Sequence, residues 1–162
     1  MSQPIHVGMA DLVVAKHPAN LITLGLGSCI GLVIYDQVSK TAGMVHIMLP
    51  DSRDTKDNPK PGKFADTAVP VLLDELLKLG VNKSQLRAKM AGGAQMFAIP
   101  GKDNAIFAVG SRNIEATTKA LAAEGVRLVS SDTGGNKGRS VEFSTLTMKF
   151  VVKTLGSGTK EI

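Results

Sequence analysis

GLGSCIGLVIYDQVSKTAGMVHIML, residues 25–49, decides the fold. IGLVIYD (30–36) is β-branched and aromatic, QVSK is a polar turn, and GMVHIML (43–49) is apolar again. The segment therefore reads as an antiparallel hairpin, closed by Pro50. A turn centred on Gln37 and Val38 places Cys29 opposite His46, whereas one centred on Val38 and Ser39 places Cys29 opposite Met48 with His46 on the diagonal. In both registers paired positions have an odd index sum, which keeps 29 and 46 on one face of the pleat.

Before the hairpin, IHVGMADLVVAK (5–16), the break HPAN and then LITLGLG read as strand, turn, strand. After it, DSRDTKDNPKPGK (51–63) holds seven charges and two prolines and is expected to be an exposed loop. From Phe64 the period becomes helical: Ala65, Ala68, Val69, Leu72, Leu73, Leu76 and Leu79 share one face, Pro70 predicts a kink and Gly80 a stop. LRAKMAGGAQMF (86–97) predicts a strand interrupted by Gly92 and Gly93, and AIFAVG (105–110) a short one. Ser111 is expected to cap a second helix that turns Ile114, Leu121 and Ala122 inward and ends at Gly125. VRLVSSD is a further strand, TGGNKGR a Gly-rich turn, and SVEFSTLTMKFVVK a closing, bent strand. The expected fold class is α+β: a single domain over 1–155 with mixed, mostly antiparallel sheet layers packed with two main helices, and a C-terminal tail over 156–162.

Composition narrows the function. At 43% hydrophobic residues, 162 residues are enough for one sizeable core and point to one site rather than two modules. No segment approaches the roughly 18 uninterrupted apolar residues of a membrane span, and the first 30 residues show no basic region followed by an apolar block. A lone cysteine cannot form an internal disulfide, so a cytoplasmic protein without membrane insertion is expected. A net charge of +5 and a pI near 9.4 favour an acidic partner. With 4% aromatics, no Trp and no nucleic-acid-binding motif, that partner is not expected to be nucleic acid; a Glu-rich protein surface meets the same charge.

The chemistry centres on Cys29. A cysteine beside a strand is commonly a small core hydrophobe, and a histidine within an apolar strand is commonly a satisfied core residue. Together on one face they acquire another reading, because a thiol is mostly protonated at neutral pH and a neighbouring imidazole is the usual means of activating it. Gly25, Gly27 and Gly31 flank the cysteine and leave backbone N–H groups accessible where the thiol emerges. Thr23, six residues earlier across the GLGS turn, could accept a hydrogen bond from the imidazole, although a strand threonine is also commonly structural. No metal and no cofactor are expected. His6, His17, Cys29 and His46 lack zinc-ligand spacing, no Gly-Lys-Ser/Thr follows the glycines, and the glycine-rich turn feeds a strand rather than a helix.

TLGLGSCIGLVIYD, AGMVHIMLP, FADTAVPVLLDELLKLG, KMAGGAQMF, AVGSRNIEAT and DTGGNKGRSVEF, in this order, resemble the CheD family of chemoreceptor glutamine deamidases. The resemblance implies a fold similar to the cytotoxic necrotizing factor deamidase domains, and hydrolysis of glutamine side chains to glutamate on chemoreceptor helices through a thioester. It further implies Cys29 as nucleophile, His46 as base and Thr23 as orienting hydroxyl. Backbone N–H groups around Gly27, Ser28 and Cys29 are the candidates for holding substrate and oxyanion. CheC, a response-regulator phosphatase, is the further partner implied, and an adaptor that stimulates CheC is the alternative function. Gly134, Gly135, Asn136 and Arg139 fall in a block without an implied role and read as a tight turn with a surface arginine.

Overall fold

The structure, a computed structural model, describes residues 3–53, 60–96 and 108–162. Among these, ten strands form two five-stranded sheets. One runs in the order β1 (Pro4–His6), β3 (Asn20–Leu26), β8 (Arg139–Ser144), β9 (Lys149–Thr154), β10 (Gly158–Glu161). The other runs β2 (Leu12–Lys16), β5 (Thr41–Ile47), β4 (Ile30–Asp36), β6 (Arg87–Gly92), β7 (Arg127–Thr133). The pairs β1–β3 and β6–β7 are parallel and the remainder antiparallel, so the expected α+β class with mixed sheets holds. Helices α1 (Ala65–Lys78) and α2 (Val109–Ala123) complete a three-layer stack.

The second sheet is the middle layer. Ile30, Leu32, Ile34, Val45 and Ile47 pack against Ala68, Leu72 and Leu76 of α1 and Leu121 of α2. Val33, Tyr35, Ala42 and Met44 project the other way, onto Leu21, Leu26, Val141, Phe143 and Phe150 of the first sheet. A strand covered on both faces has no solvent side to alternate with, which is why 30–36 reads as an almost unbroken apolar run. Each such aliphatic side chain, fully buried, contributes about 1.5–3 kcal/mol.

The hairpin register pairs Ile30 with Ile47 and Gly31 with His46, as expected for a turn centred on Val38 and Ser39. The buried Asp36 carboxylate fixes that turn by accepting from the Val38 amide at 3.0 Å and the Ser39 hydroxyl at 2.7 Å. Odd positions of β4 and even positions of β5 then face the first sheet, and this parity determines where the chemistry lies.

Several expectations change. The run 5–16 is two strands in different sheets, split where Ala10 takes a φ of 66°. The closing strand is a hairpin, β8 and β9, turned through Met148 at a φ of 57°. Residues 156–162, expected as a tail, instead carry β10, whose ladder to β9 satisfies a backbone edge. Helix α1 runs on through Pro70. Helix α2 starts at Val109, before Ser111, and its N-terminal residue makes no side-chain cap; Ala122 is exposed. Residues 54–59 of the charged loop and 105–107 of the expected short strand lie outside the described residues, while Val109 and Gly110 belong to α2. No described helix is long and apolar enough to cross a membrane.

Candidate active site

The site forms at the open end of the hairpin, where β4 begins and β5 ends. Upstream, β3 slips register between Thr23 and Leu26, with Gly25 at a φ of 71°. The irregularity lets both Thr23 and Leu26 point inward and carries residues 27–29 from the first sheet into the second. Cys29 is half-buried just ahead of β4 and packs against the apolar layer between the sheets. His46 lies on the same side of the middle sheet and is 1% exposed. Opposite it in the ladder stands Gly31, where a Cβ would come within 3.2 Å of the Thr23 methyl and 2.9 Å of Leu26. Glycine at this position lets the first sheet come close enough for Thr23 to reach the histidine.

The Thr23 hydroxyl donates to the Val7 carbonyl at 2.6 Å and lies 2.7 Å from His46 Nδ1. A hydroxyl has one proton, and a carbonyl can only accept. Thr23 must therefore accept from Nδ1–H, which fixes the neutral tautomer with its lone pair on Nε2. Nε2 is buried and has no hydrogen-bond partner among the described residues. The structure thus brings Thr23 onto His46 and places Cys29 on the same face as the imidazole, without a hydrogen bond joining thiol and ring.

Burial raises the Cys29 thiol above its ordinary range. Burial also lowers His46, with the Asp11 carboxylate pulling weakly the other way. Asp11 is itself held low, first by its 2.7 Å bond to Lys60. Both shifts favour a neutral thiol beside a neutral imidazole over a preformed ion pair, so an attack by this thiol would require its proton to pass to the imidazole as the attack proceeds. Accordingly, kcat/KM for amide hydrolysis by this pair should have its acid limb below histidine's ordinary value of about 6.5. A pH profile of initial rates checks this; an acid limb above histidine's ordinary value would contradict the assignment.

The strand ends are fastened through backbone carbonyls. Gly27 O accepts from the Ala94 amide and Cys29 O from the Gly93 amide, both at 2.9 Å. Ser28 O accepts from Asn113 Nδ2 at 2.9 Å, and the same nitrogen donates to Met48 O at 3.0 Å. Gly92 takes a φ of 114°, and a Cβ there would overlap the Cys29 carbonyl oxygen. Behind it, Arg139 donates to Gly92 O at 3.3 Å and to Asp132 at 3.2 Å, while the Gly134 amide reaches Gly92 O at 3.0 Å. Arg139 is therefore buried rather than on the surface: the glycine-rich block braces the turn that carries the cysteine. Asn136 is exposed. The amides of Ser28 and Cys29 donate to no acceptor among the described residues. Among those residues, too, no three His, Cys, Asp or Glu side chains gather as a metal cluster.

Residues 48–154 match the family model CheD, described as CheD chemotactic sensory transduction. A protein of Caldanaerobacter subterraneus subsp. tengcongensis, named a probable chemoreceptor glutamine deamidase CheD, is 49% identical over 99% of each chain. Another of the same name, from Lachnoclostridium phytofermentans, is 47% identical over the whole of both chains. The chain belongs to the CheD family. The family-model match begins after Cys29 and His46 and takes in Asn113 and Arg139, whereas the full-length likeness to these CheD proteins covers the hairpin as well. In fold, this CheD chain is similar to the crystal structure of a Bacillus licheniformis hypothetical protein, YfiH, with a TM-score of 0.51 at 12% identity. That likeness covers 76% of this chain and 51% of the other, so the present chain spans about half of YfiH.

Two residues of this CheD site lack a sequence signal of their own. Gly31 was legible as part of a glycine-rich flank, but its role opposite His46 depends on register. Asn113 lies on a helix far along the chain and becomes relevant only when α2 packs over the end of β4.

Proposed function

We propose that the protein hydrolyses glutamine side-chain amides to glutamate on the cytoplasmic helices of chemoreceptors, with Cys29, His46 and Thr23 as its catalytic set. The observation behind this reading is the relay from Val7 O through Thr23 to His46, which leaves the Nε2 lone pair on the face that carries the thiol. Nε2 takes the Cys29 proton as Sγ adds to the amide carbon, forming a tetrahedral oxyanion. The imidazolium then protonates the departing nitrogen, and ammonia leaves a thioester on Cys29. Water, deprotonated by His46, adds to the thioester; collapse returns the proton and the thiol and releases the glutamate carboxylate. Gly27 and Ser28 hold the substrate and oxyanion side, where the Ser28 and Cys29 amides supply donors.

The relatives' name supports the substrate, and the net charge of +5 suits an acidic helical surface. A role as adaptor to CheC has no residue of the site behind it. The deciding experiment incubates the protein with a receptor cytoplasmic fragment and follows intact mass together with ammonia. Each conversion exchanges an amide NH2 for OH and releases one ammonia; an unchanged fragment would refute the proposal.

Thr23→Val tests the relay. The isosteric change removes the acceptor for Nδ1–H and the donor to Val7 O, so stability should fall by about 1–3 kcal/mol. Turnover should fall about tenfold and recover partly at higher pH, where thiolate forms without help from the ring. Thermal melts and ammonia release across pH check both parts.

A further inference from the structure

We infer that Asn113, outside the Cys–His–Thr set, is a positioning residue that aims the backbone amide of Cys29 at the oxyanion; the inference rests on the deamidase reading above. Asn113 is fully buried in α2, on the helix side of the middle sheet. Its Nδ2 carries two protons and directs them to two carbonyls, Ser28 O at 2.9 Å and Met48 O at 3.0 Å. These carbonyls belong to the residue before the nucleophile and the residue two after His46. One side chain therefore spans the ends of both catalytic strands. Its own Oδ1 is buried with no partner among the described residues, an uncompensated acceptor that simple packing would not require.

The consequence follows from peptide geometry. In a planar trans peptide, C=O and N–H point in opposite directions. Ser28 O and the Cys29 N–H belong to the same peptide unit. Holding Ser28 O toward α2 turns the Cys29 N–H away from the helices, toward the side of the sheet where the thiol and His46 lie. That amide has no acceptor among the described residues. The Met48 bond ties the amide group of Asn113 to the neighbouring strand, and the Gly93–Cys29 and Ala94–Gly27 bonds fix the peptides on either side. Without Asn113 the 28–29 peptide is the one unit of the turn with neither end fastened, free to rotate its N–H off target.

The test separates oxyanion stabilisation from thiol activation. Alkylation of Cys29 by iodoacetamide expels iodide from a saturated carbon and develops no oxyanion, whereas amide hydrolysis depends on one. For Asn113→Ala, kcat for ammonia release from a receptor fragment should fall about 10²-fold or more, the usual loss on removing an oxyanion donor, with little change in KM. The iodoacetamide rate at the same pH should stay close to that of the unaltered protein. Asn113→Ser retains one proton to donate and should fall between the two; it carries the test if the alanine variant does not fold. Unchanged kcat, or kcat and alkylation falling together, would overturn the inference while leaving the deamidase reading in place. If the unaltered protein alkylates normally but releases no ammonia from any receptor fragment, the deamidase reading fails and this role of Asn113 with it.

Discussion

Cys29→Ala is expected to abolish ammonia release while the protein remains folded. The thiol contributes little to the core: Cys29 is half-buried and only borders the apolar layer between the sheets. Losing one sulfur there should cost about 1 kcal/mol. What shapes the turn is backbone, namely the bonds from Ala94, Asn113 and Gly93 to the carbonyls of 27, 28 and 29, and none needs the sulfur. Activity is different in kind. Without Sγ no thioester can form, and direct attack by water would need a nucleophile positioned where the structure offers only the methyl of an alanine. Circular dichroism and a thermal melt establish the fold, and ammonia release reports turnover. A folded Cys29→Ala protein that still converts glutamine to glutamate would move the nucleophile elsewhere.

How much of this was legible in the sequence depends on the range of the interaction. The hairpin was legible because a single local feature, parity, places positions 29 and 46 on one face in either register. The face of α1 was legible because its seven named residues are all apolar at helical spacing, and the six that fall within the helix are all buried. Its counterpart in α2 was legible only at Leu121: the other buried residues are Gly110, Asn113 and Thr117, small or polar side chains that a hydrophobic pattern passes over. Gly110 is buried because Gly93 and Ala94 press their carbonyls against it, a contact between distant segments. Arg139 was read as exposed for the same reason, since an arginine with no local partner looks solvated until Asp132 and Gly92 O are brought to it. The division of residues 4–16 between two sheets was equally hidden, because each strand is specified by the edge it joins rather than by its own composition. Thr23 was nameable as a candidate, but its direction of donation needed Val7 O, which only the parallel pairing of β1 with β3 brings near.

His46→Ala is the second expected loss of large size, and its signature differs from that of Thr23→Val. In the proposed mechanism the imidazole acts twice, taking the thiol proton during attack and giving a proton to the leaving ammonia, so losses on the order of 10²-fold or more are expected from acid–base catalysis alone. Removing a nearly fully buried ring also leaves a cavity, and His46→Gln serves as a fuller-sized companion. Because burial holds the thiol above its ordinary range, alkylation of Cys29 at neutral pH should slow markedly in both variants and then rise with pH as thiolate forms unaided. Ammonia release should not recover in step. High pH supplies the nucleophile but does not replace the missing ring as proton donor to the departing nitrogen, so thiol reactivity and deamidation come apart. In Thr23→Val the ring is still present to donate, so the two should recover together. Parallel pH series of alkylation and ammonia release for the three variants read this directly, and recovery of deamidation at high pH without His46 would assign the proton donor to another group.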